Sequence, residues 1–469
     1  MEGSAIFLDA SAGATGWGLG ETRGLAFGEP LALRRAEALA EVPGVVDWAE
    51  AETRAGRWVL LALAYESAPA FDEALPAHAP QTGLPLAWAA SHAAPLPELP
   101  AFLEHNGRKT GEKNGENFFG VCSPGPWRPL VRRADYDARL NRLRQLIAEG
   151  ETYQANYTLP FECACSCAHP RDGAGAAWSA DQVWFAELAR SQGAGFCAWL
   201  DLGRHRALSL SPELFFSTRG GVALARPMKG TAPRGARMDE EDALGQGLAA
   251  SSKNRAENVM IVDLLRSDLG RVAVPGGVET PALFRVEAYP TVFQMTSDVR
   301  ARLRPGVGLF ETLAALFPCG SVTGAPKVRT MQLLRELEPH PRGLYCGAIG
   351  LLEPHGRSST FSVPIRTLTL DTTTKRARFG VGGGVTWDST ACGEWAECQA
   401  KMRFLSGGEF DLLESLLLTQ GRYPLLRRHL ERLSASALRF DVPLDLDAVR
   451  EALGALALRH PEGQHKVRL

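Results

Sequence analysis

What most constrains the fold of this 469-residue chain is how short its apolar runs are. Over residues 1 to about 100 they alternate with turns rich in Gly and Pro, the spelling of strands rather than long helices. "RWVLLALAYESAPAFDEAL" reads as a buried strand followed by a polar turn at Tyr65 and Glu66. "SHAAPLPELP" is a proline-rich connector, and "EHNGRKTGEKNGENFF", polar and without apolar period, reads as an exposed loop. "RADYDARLNRLRQLIAEGETYQANYTLPFECACSCA" gives a helix ending at Gly150 and then a strand, and "ADQVWFAELARS" is an amphipathic helix. Strands broken at Gly203 close on Ser211, Pro212 and Glu213. "SSKNRAENVMIVDLLRSDLGRV" is a helix capped by Ser251 or Ser252, with an apolar stripe of Met260, Ile261, Leu264 and Leu265. "GVGLFETLAALFPCGSVTGAPKVRTMQLLRELE" is helix, Gly/Pro loop, helix; "RARFGVGGGVTW" is a strand running into a glycine loop, and a further helix follows it.

The length exceeds one ordinary domain, although a single large α/β or α+β unit can reach it. A hydrophobic content of 45% and a charged content of 22% fit a soluble protein with a large core. A net charge of −2 gives no support to a nucleic-acid partner. The first twenty residues lack the pattern of a signal peptide and no apolar run spans a bilayer, so the expected setting is the cytoplasm, with no membrane partner. Nine cysteines in such a chain are no disulfide framework. Cys163, Cys165, Cys167 and His169 would share one strand face; with no second CxxC or HxH pair to complete a ligand set, small inward-packed side chains explain that better than a metal site does.

Lys229 is the most informative single residue. In "ARPMKGTAPRG" it follows a strand-like approach and lies in a turn between Met228 and Gly230, where few side chains are polar. A lysine in a dry site is costly unless it is paired or loses its proton, and such lysines serve as nucleophiles or bases. Three glutamates stand beside apolar helix positions: Glu257, and Glu394 with Glu397 at i, i+3. Glu213 ends a strand. Converging carboxylates need protons or a cation, and hard oxygen ligands without Cys or His suit Mg²⁺. From pattern alone, any single one of them reads more readily as a helix-surface ion pair. "GSVTGAP" and "GVGGG" would let backbone amides approach an anion, or simply make packing turns; neither is a nucleotide-binding motif. Arg366 could clamp a carboxylate from a strand, or lie on an edge.

"SPELFF", "RPMKGTAPRG", "FPCGSVTGAPKVRTMQLLRELEP", "YCGAIG", "FSVPIRT" and "GVGGGVTWDSTACGEWAECQAK" follow one another as in the chorismate-utilising enzymes, which this chain resembles over roughly residues 120–405. The resemblance implies an α+β fold, a large two-sheet antiparallel sandwich with helices, made of residues 1–120 and a catalytic region 121–405. It implies that Glu257 and Glu397 ligate Mg²⁺ against the substrate's C1 carboxylate, with Glu394 close by. Glu213 would be the general acid at the C4 hydroxyl. Tyr345, Arg366 and the amides of Gly382, Gly383 and Gly384 would hold substrate carboxylates, and Thr323 and Gly324 would shape the ring pocket. Isochorismate and salicylate synthases carry a water-activating lysine in the motif that here reads "ETYQANY", where Ala155 occupies the position. Anthranilate synthases resemble "PIAGT" where this chain has Lys229; members that aminate C4, toward p-aminobenzoate and folate, have lysine. Met228, Asn254 and Ser267 depart from the common pattern. The implied reaction makes 4-amino-4-deoxychorismate from chorismate and ammonia supplied by a glutamine amidotransferase subunit; anthranilate formation is the alternative, and a catalytically inert subunit a third reading.

Residues 406–469 change character and read as strand, turn, strand, then helices. They resemble the start of a PLP-dependent lyase of fold type IV, with Arg432 in the phosphate-binding position. Lys466 comes too early for the Schiff-base lysine, so no lyase activity is expected of the segment.

Overall fold

The strand Trp58–Leu63 shows the plan of the larger unit in six residues. Val59, Leu61 and Leu63 enter one apolar cluster, while Leu60 and Ala62 enter another. A strand apolar on both faces must be covered on both. A computed structural model describes residues 2–10, 16–19, 24–100, 103, 124–165, 179–234, 238–289, 292–406, 412–439 and 444–469. Residues 104–119, Cys167 and His169 lie outside them.

The chain divides into two units, Met1–Gly407 and Gly408–Leu469. Among the described residues the first holds a nine-stranded and a ten-stranded sheet, whose strand pairs are all antiparallel. The nine-stranded sheet includes, in spatial order, Gly324–Ala325, Gln154–Ala164, Arg376–Val385, Thr367–Asp371 and His205–Ser211, and reaches Ala5–Leu8. The other starts from Met228–Pro233 and Val292–Leu303 and runs through Leu214–Arg219 to Trp58–Leu63 and Ala87–His92. N-terminal strands therefore enter both sheets. Phe7, Phe27 and Phe196 of one sheet pack against Leu60, Trp88 and Ile349 of the other. Each large apolar side chain buried there contributes ~2 kcal/mol. Helices Val42–Arg54, Ser252–Gly270 and Leu309–Leu316 cover the outer face of one sheet, and Arg133–Ala148, Ala180–Gln192 and Ala391–Met402 that of the other. This is the α+β two-sheet architecture. No described helix is long and apolar enough to cross a membrane.

Three local expectations are corrected. The segment around Lys229 is no turn: Val222–Arg226 and Met228–Pro233 are both strands, separated at Pro227. Met228 pairs with Thr296 and Thr231 with Gln294, so Lys229 and Gly230 together oppose Met295, which is a β-bulge. The three glycines Gly382–Gly384 belong to the strand Arg376–Val385 itself, in register with Thr158, Tyr157 and Asn156, and form no loop. On the helix Ser252–Gly270 the fully buried positions are Asn258, Ile261, Val262, Leu265, Asp268 and Leu269, while Met260 and Leu264 are half-buried. Ser251 is the cap, its hydroxyl accepting from the Asn254 amide.

The second unit pairs Ser415–Thr419 with Gln464–Arg468 and packs helices Leu426–Arg439 and Leu446–Arg459 on Leu416, Leu418, Leu430, Leu453 and Val467. The expected second strand after the turn is absent from its described residues. Gln420 and Gly421, both at positive φ, reverse the chain, and a helix begins at Leu426. Arg432 Nε donates to Glu414 Oε1 at 2.6 Å, and His429 Nδ1 lies 2.8 Å from Glu414 Oε2. The arginine matched to a phosphate ligand is thus the counter-ion of a buried carboxylate, which it holds below the usual range.

Candidate active site

The site begins where the inner face of the nine-stranded sheet turns polar. On Gln154–Ala164, the residues Ala155, Tyr157, Leu159, Phe161 and Cys163 enter the helix-side core. Alternation turns Gln154, Asn156 and Thr158 to the other face. On the neighbouring strand Gly384 pairs with Asn156, Gly382 with Thr158 and Gly380 with Pro160. A Cβ on Gly384 would overlap the Gln154 amide nitrogen and stand 3.3 Å from Lys229 Nζ. Lys229, from the ten-stranded sheet, therefore reaches the glycine strand of the other sheet, and the absent side chain makes room for it.

The bulge aims Lys229. Gly230 sits at φ +88°, a region L side chains avoid, and Asn254 packs against it. Lys229 Nζ donates to the Ser321 carbonyl at 3.2 Å. Burial pushes its pKa down, opposed chiefly by the charge of Glu213. Glu213 is 3% exposed. Its amide donates to Ser211 Oγ at 3.1 Å and its carbonyl accepts from Val363 N at 3.1 Å. Burial pushes its carboxyl up to about 7, against the pull of the Ser321 hydroxyl and Lys229. Its Oε1 has no hydrogen-bond partner. Desolvation thus moves both groups toward their neutral forms, a protonated acid beside a free amine.

Thr390 caps the helix Ala391–Met402 and so fixes Glu394 and Glu397 at its start. A Cβ on Gly383 would lie 2.7 Å from Glu394 Oε2 and 3.4 Å from Glu397 Oε1, so both carboxylates lie over that glycine. Glu394 Oε1 accepts from Ser389 Oγ at 2.7 Å. Lys401 Nζ lies 2.7 Å from Glu397 Oε1 and donates to the Gly382 carbonyl at 2.6 Å. Burial raises Glu257, and the charges of Glu397 and Asp388 raise it further. Burial raises Glu394 as well, with Glu397 and Glu257 adding to it. Carboxylates that disfavour one another's charge are relieved by a hard cation, so the donor set suits Mg²⁺ in chemistry. Among the described residues no group of three His, Cys, Asp or Glu is gathered closely enough to hold a metal ion.

The remaining candidates sit differently. Thr323 is fully buried; its hydroxyl donates to the carbonyls of Cys319 and Gly320 and its carbonyl accepts from Asn156 N at 2.8 Å. Gly324 pairs with Ala155, where a side chain would strike the Gln154 carbonyl. Tyr345 lies against Gly380 in a cleft with Thr158, Thr367, Arg342 and Arg378, four residues along the strand from Gly384. Arg366, at φ +50°, is half-buried, donates to Gln192 Oε1 at 3.1 Å and faces Tyr289 and Cys197. The structure sets Lys229 beside Gly384 and within electrostatic reach of Glu213 and Glu257, sets Glu394 and Glu397 over Gly383, and gives Tyr345 and Arg366 other partners. It also adds residues missed in the sequence. Gln154, not Ala155, faces the pocket, and both atoms of its buried amide lack partners. Counting two-residue alternation along "ETYQANY" against the apolar side would have found it. Ser321 and Lys401 carry no sequence signal of their own.

Residues 44–407 match the family described as chorismate binding enzyme. Aminodeoxychorismate synthase component 1 of Salmonella typhimurium is 40% identical over 271 residues, 58% of this chain and 56% of that protein. Anthranilate synthase component 1 3 of Haloarcula marismortui is 34% identical over 295 residues, 63% of this chain and 56% of that protein. The chain thus spans little more than half the length of these relatives. In fold it is similar to the crystal structure of anthranilate synthase component I from Streptococcus pneumoniae TIGR4, with a TM-score of 0.66 at 22% identity, covering 81% of this chain and 91% of that one.

Proposed function

The chain belongs to the chorismate binding enzymes, and from that premise we propose that it aminates chorismate at C4 as an aminodeoxychorismate synthase of the component 1 kind. The observation that carries this reading is Lys229 reaching the glycine strand beside Glu213, both driven toward neutrality by burial. The Lys229 amine attacks C2, the two ring double bonds shift by one position, and the C4–O bond breaks. Glu213 gives its proton to the departing hydroxyl, which leaves as water. Ammonia then adds at C4, the double bonds shift back and the C2–N bond to Lys229 breaks. Glu213 takes up the proton that ammonia sheds. The product is 4-amino-4-deoxychorismate, a precursor of p-aminobenzoate. No base faces the pocket from Gln154 to activate water at C2. Mg²⁺, held by Glu257 and Glu397 with Glu394 alongside, would neutralise the C1 carboxylate. Tyr345, Arg366 and the amides of Gly382–Gly384 are assigned to substrate carboxylates in the same reading. Ammonia is mostly protonated at neutral pH, so a glutaminase subunit would supply it, in the cytoplasm.

The test is chorismate plus ammonium, with and without Mg²⁺, followed by product identification. A lyase added afterwards converts the C4 product to p-aminobenzoate, whereas anthranilate fluoresces without it. Lys229→Ala is expected to lower C4 amination by on the order of 10²-fold or more. Undiminished amination by that variant would refute the covalent role.

A further inference from the structure

One buried ion pair touches two of the segments that frame Lys229. Arg342 is 7% exposed. Its Nε and Nη2 donate to the two oxygens of Glu338 at 2.8 and 2.7 Å. Its Nη1 donates to the Val322 carbonyl at 2.7 Å, and Nη2 also to the Asn156 carbonyl at 2.8 Å. Glu338 Oε1 accepts from the amide and hydroxyl of Thr158 at 2.8 and 3.0 Å. The guanidinium lies 4.4 Å over the Tyr65 ring, and Glu66 accepts the Arg342 and Gly343 amides at 2.7 and 3.0 Å. The polar Tyr65–Glu66 turn is thus the seat of Arg342.

Stability alone is a poor explanation of such a pair, since well-packed apolar residues often replace buried ion pairs without loss. The planar fork of arginine is suited to fixing several acceptors in one geometry. Here the acceptors lie on two segments. Val322 follows Ser321, whose carbonyl receives Lys229 Nζ. Asn156 stands two residues from Gln154, on the strand that faces the same pocket.

We propose that Arg342 is a positioning residue for the amination: by holding the Val322 and Asn156 carbonyls together it fixes the place of the Ser321 carbonyl, and so of the Lys229 amine. The inference rests on the role given to Lys229 under the functional reading.

Arg342→Lys keeps a cation beside Glu338 but cannot span both carbonyls. It is expected to lower kcat by about 10- to 100-fold while KM for chorismate changes less than about threefold, the mark of misplacement in the reacting state. Independently of turnover, acetylation of Lys229 by acetic anhydride, followed by mass spectrometry across pH, reads how dry the amine is. Its midpoint should rise by about one pH unit in Arg342→Lys as water reaches the amine. Should that variant not fold, Tyr65→Leu removes only the ring beneath the guanidinium and should move both readouts the same way, kcat by about threefold. A midpoint unchanged in a folded variant, with any loss of kcat matched by loss of melting temperature, would overturn the proposal. A wild-type chain that yields no C4-aminated product would instead sink the functional reading, and the acetylation midpoint would still decide the positioning role.

Discussion

Glu213 illustrates how a side chain can be placed for chemistry against its own stability. Its carboxyl stands at about 7, against 4.5 for the same group in water. Between those values the unfolded chain has released the proton and the folded chain has kept it, so stability falls as pH rises through the window. At pH 8 the full difference is about 3 kcal/mol. Glu213→Gln is therefore expected to raise the melting temperature relative to wild type at pH 8 and to leave it nearly unchanged at pH 4, as thermal melts at the two pH values would read. The same substitution removes the proposed proton donor, and amination should drop by about 10²- to 10⁴-fold. In wild type, kcat/KM should fall above about pH 7 as Glu213 ionises, while the downward shift of Lys229 enlarges the fraction of free amine available to attack. A profile flat from pH 6 to 9 would exclude Glu213 as the acid. Lys229 stood out in the sequence because a lysine among Met, Pro and Gly has no solvated explanation. Gln154 did not, because its significance depends on which face of a strand is wet.

The bulge at Lys229–Gly230 and the glycine strand make their own predictions. Gly230→Ala must hold an L side chain at φ +88° with its Cβ 3.0 Å from that of Asn254. A loss of about 1–3 kcal/mol is expected, measured by denaturant unfolding, together with lower kcat from a misdirected lysine. Gly384→Ala has no such backbone conflict, so its melting temperature should stay within a few degrees of wild type. Its methyl instead enters the space between Gln154 and Lys229, and activity should fall at least about tenfold. An active Gly384→Ala enzyme would mean that the pocket is not where the glycines leave room. Strands and helices were legible in the sequence because period two and period 3.6 are local properties. The bulge and the glycine register were not, since both are defined by partners, Met295 and Tyr157, that lie dozens to hundreds of residues away. Glycine triplets read as loops when their neighbours in the sheet are unknown.

At the scale of the molecule, each of the two units has its own core. A chain ending at Gly407 should fold and should aminate chorismate within about twofold of the full chain, as circular dichroism and the amination assay would show. In the smaller unit Arg432 already has a carboxylate on its guanidinium; a phosphate could bind there only by displacing Glu414. The residues that frame Lys229 come from both sheets and from positions 65 to 401, so the site exists only when the whole larger unit has closed. The strand Gln154–Ala164 has a further meaning for descent. One edge of its pleat belongs to the hydrophobic interior and the other to the reaction, and both are set by the same register. Gaining or losing one residue between Gly150 and Gln154 would turn Tyr157 and Phe161 to the pocket and bury Gln154 and Asn156 among helices. Substitutions can explore this strand one side at a time, but insertions and deletions cannot, so the spacing from Gly150 to Gln154 should be among the most rigid lengths in any lineage of this protein.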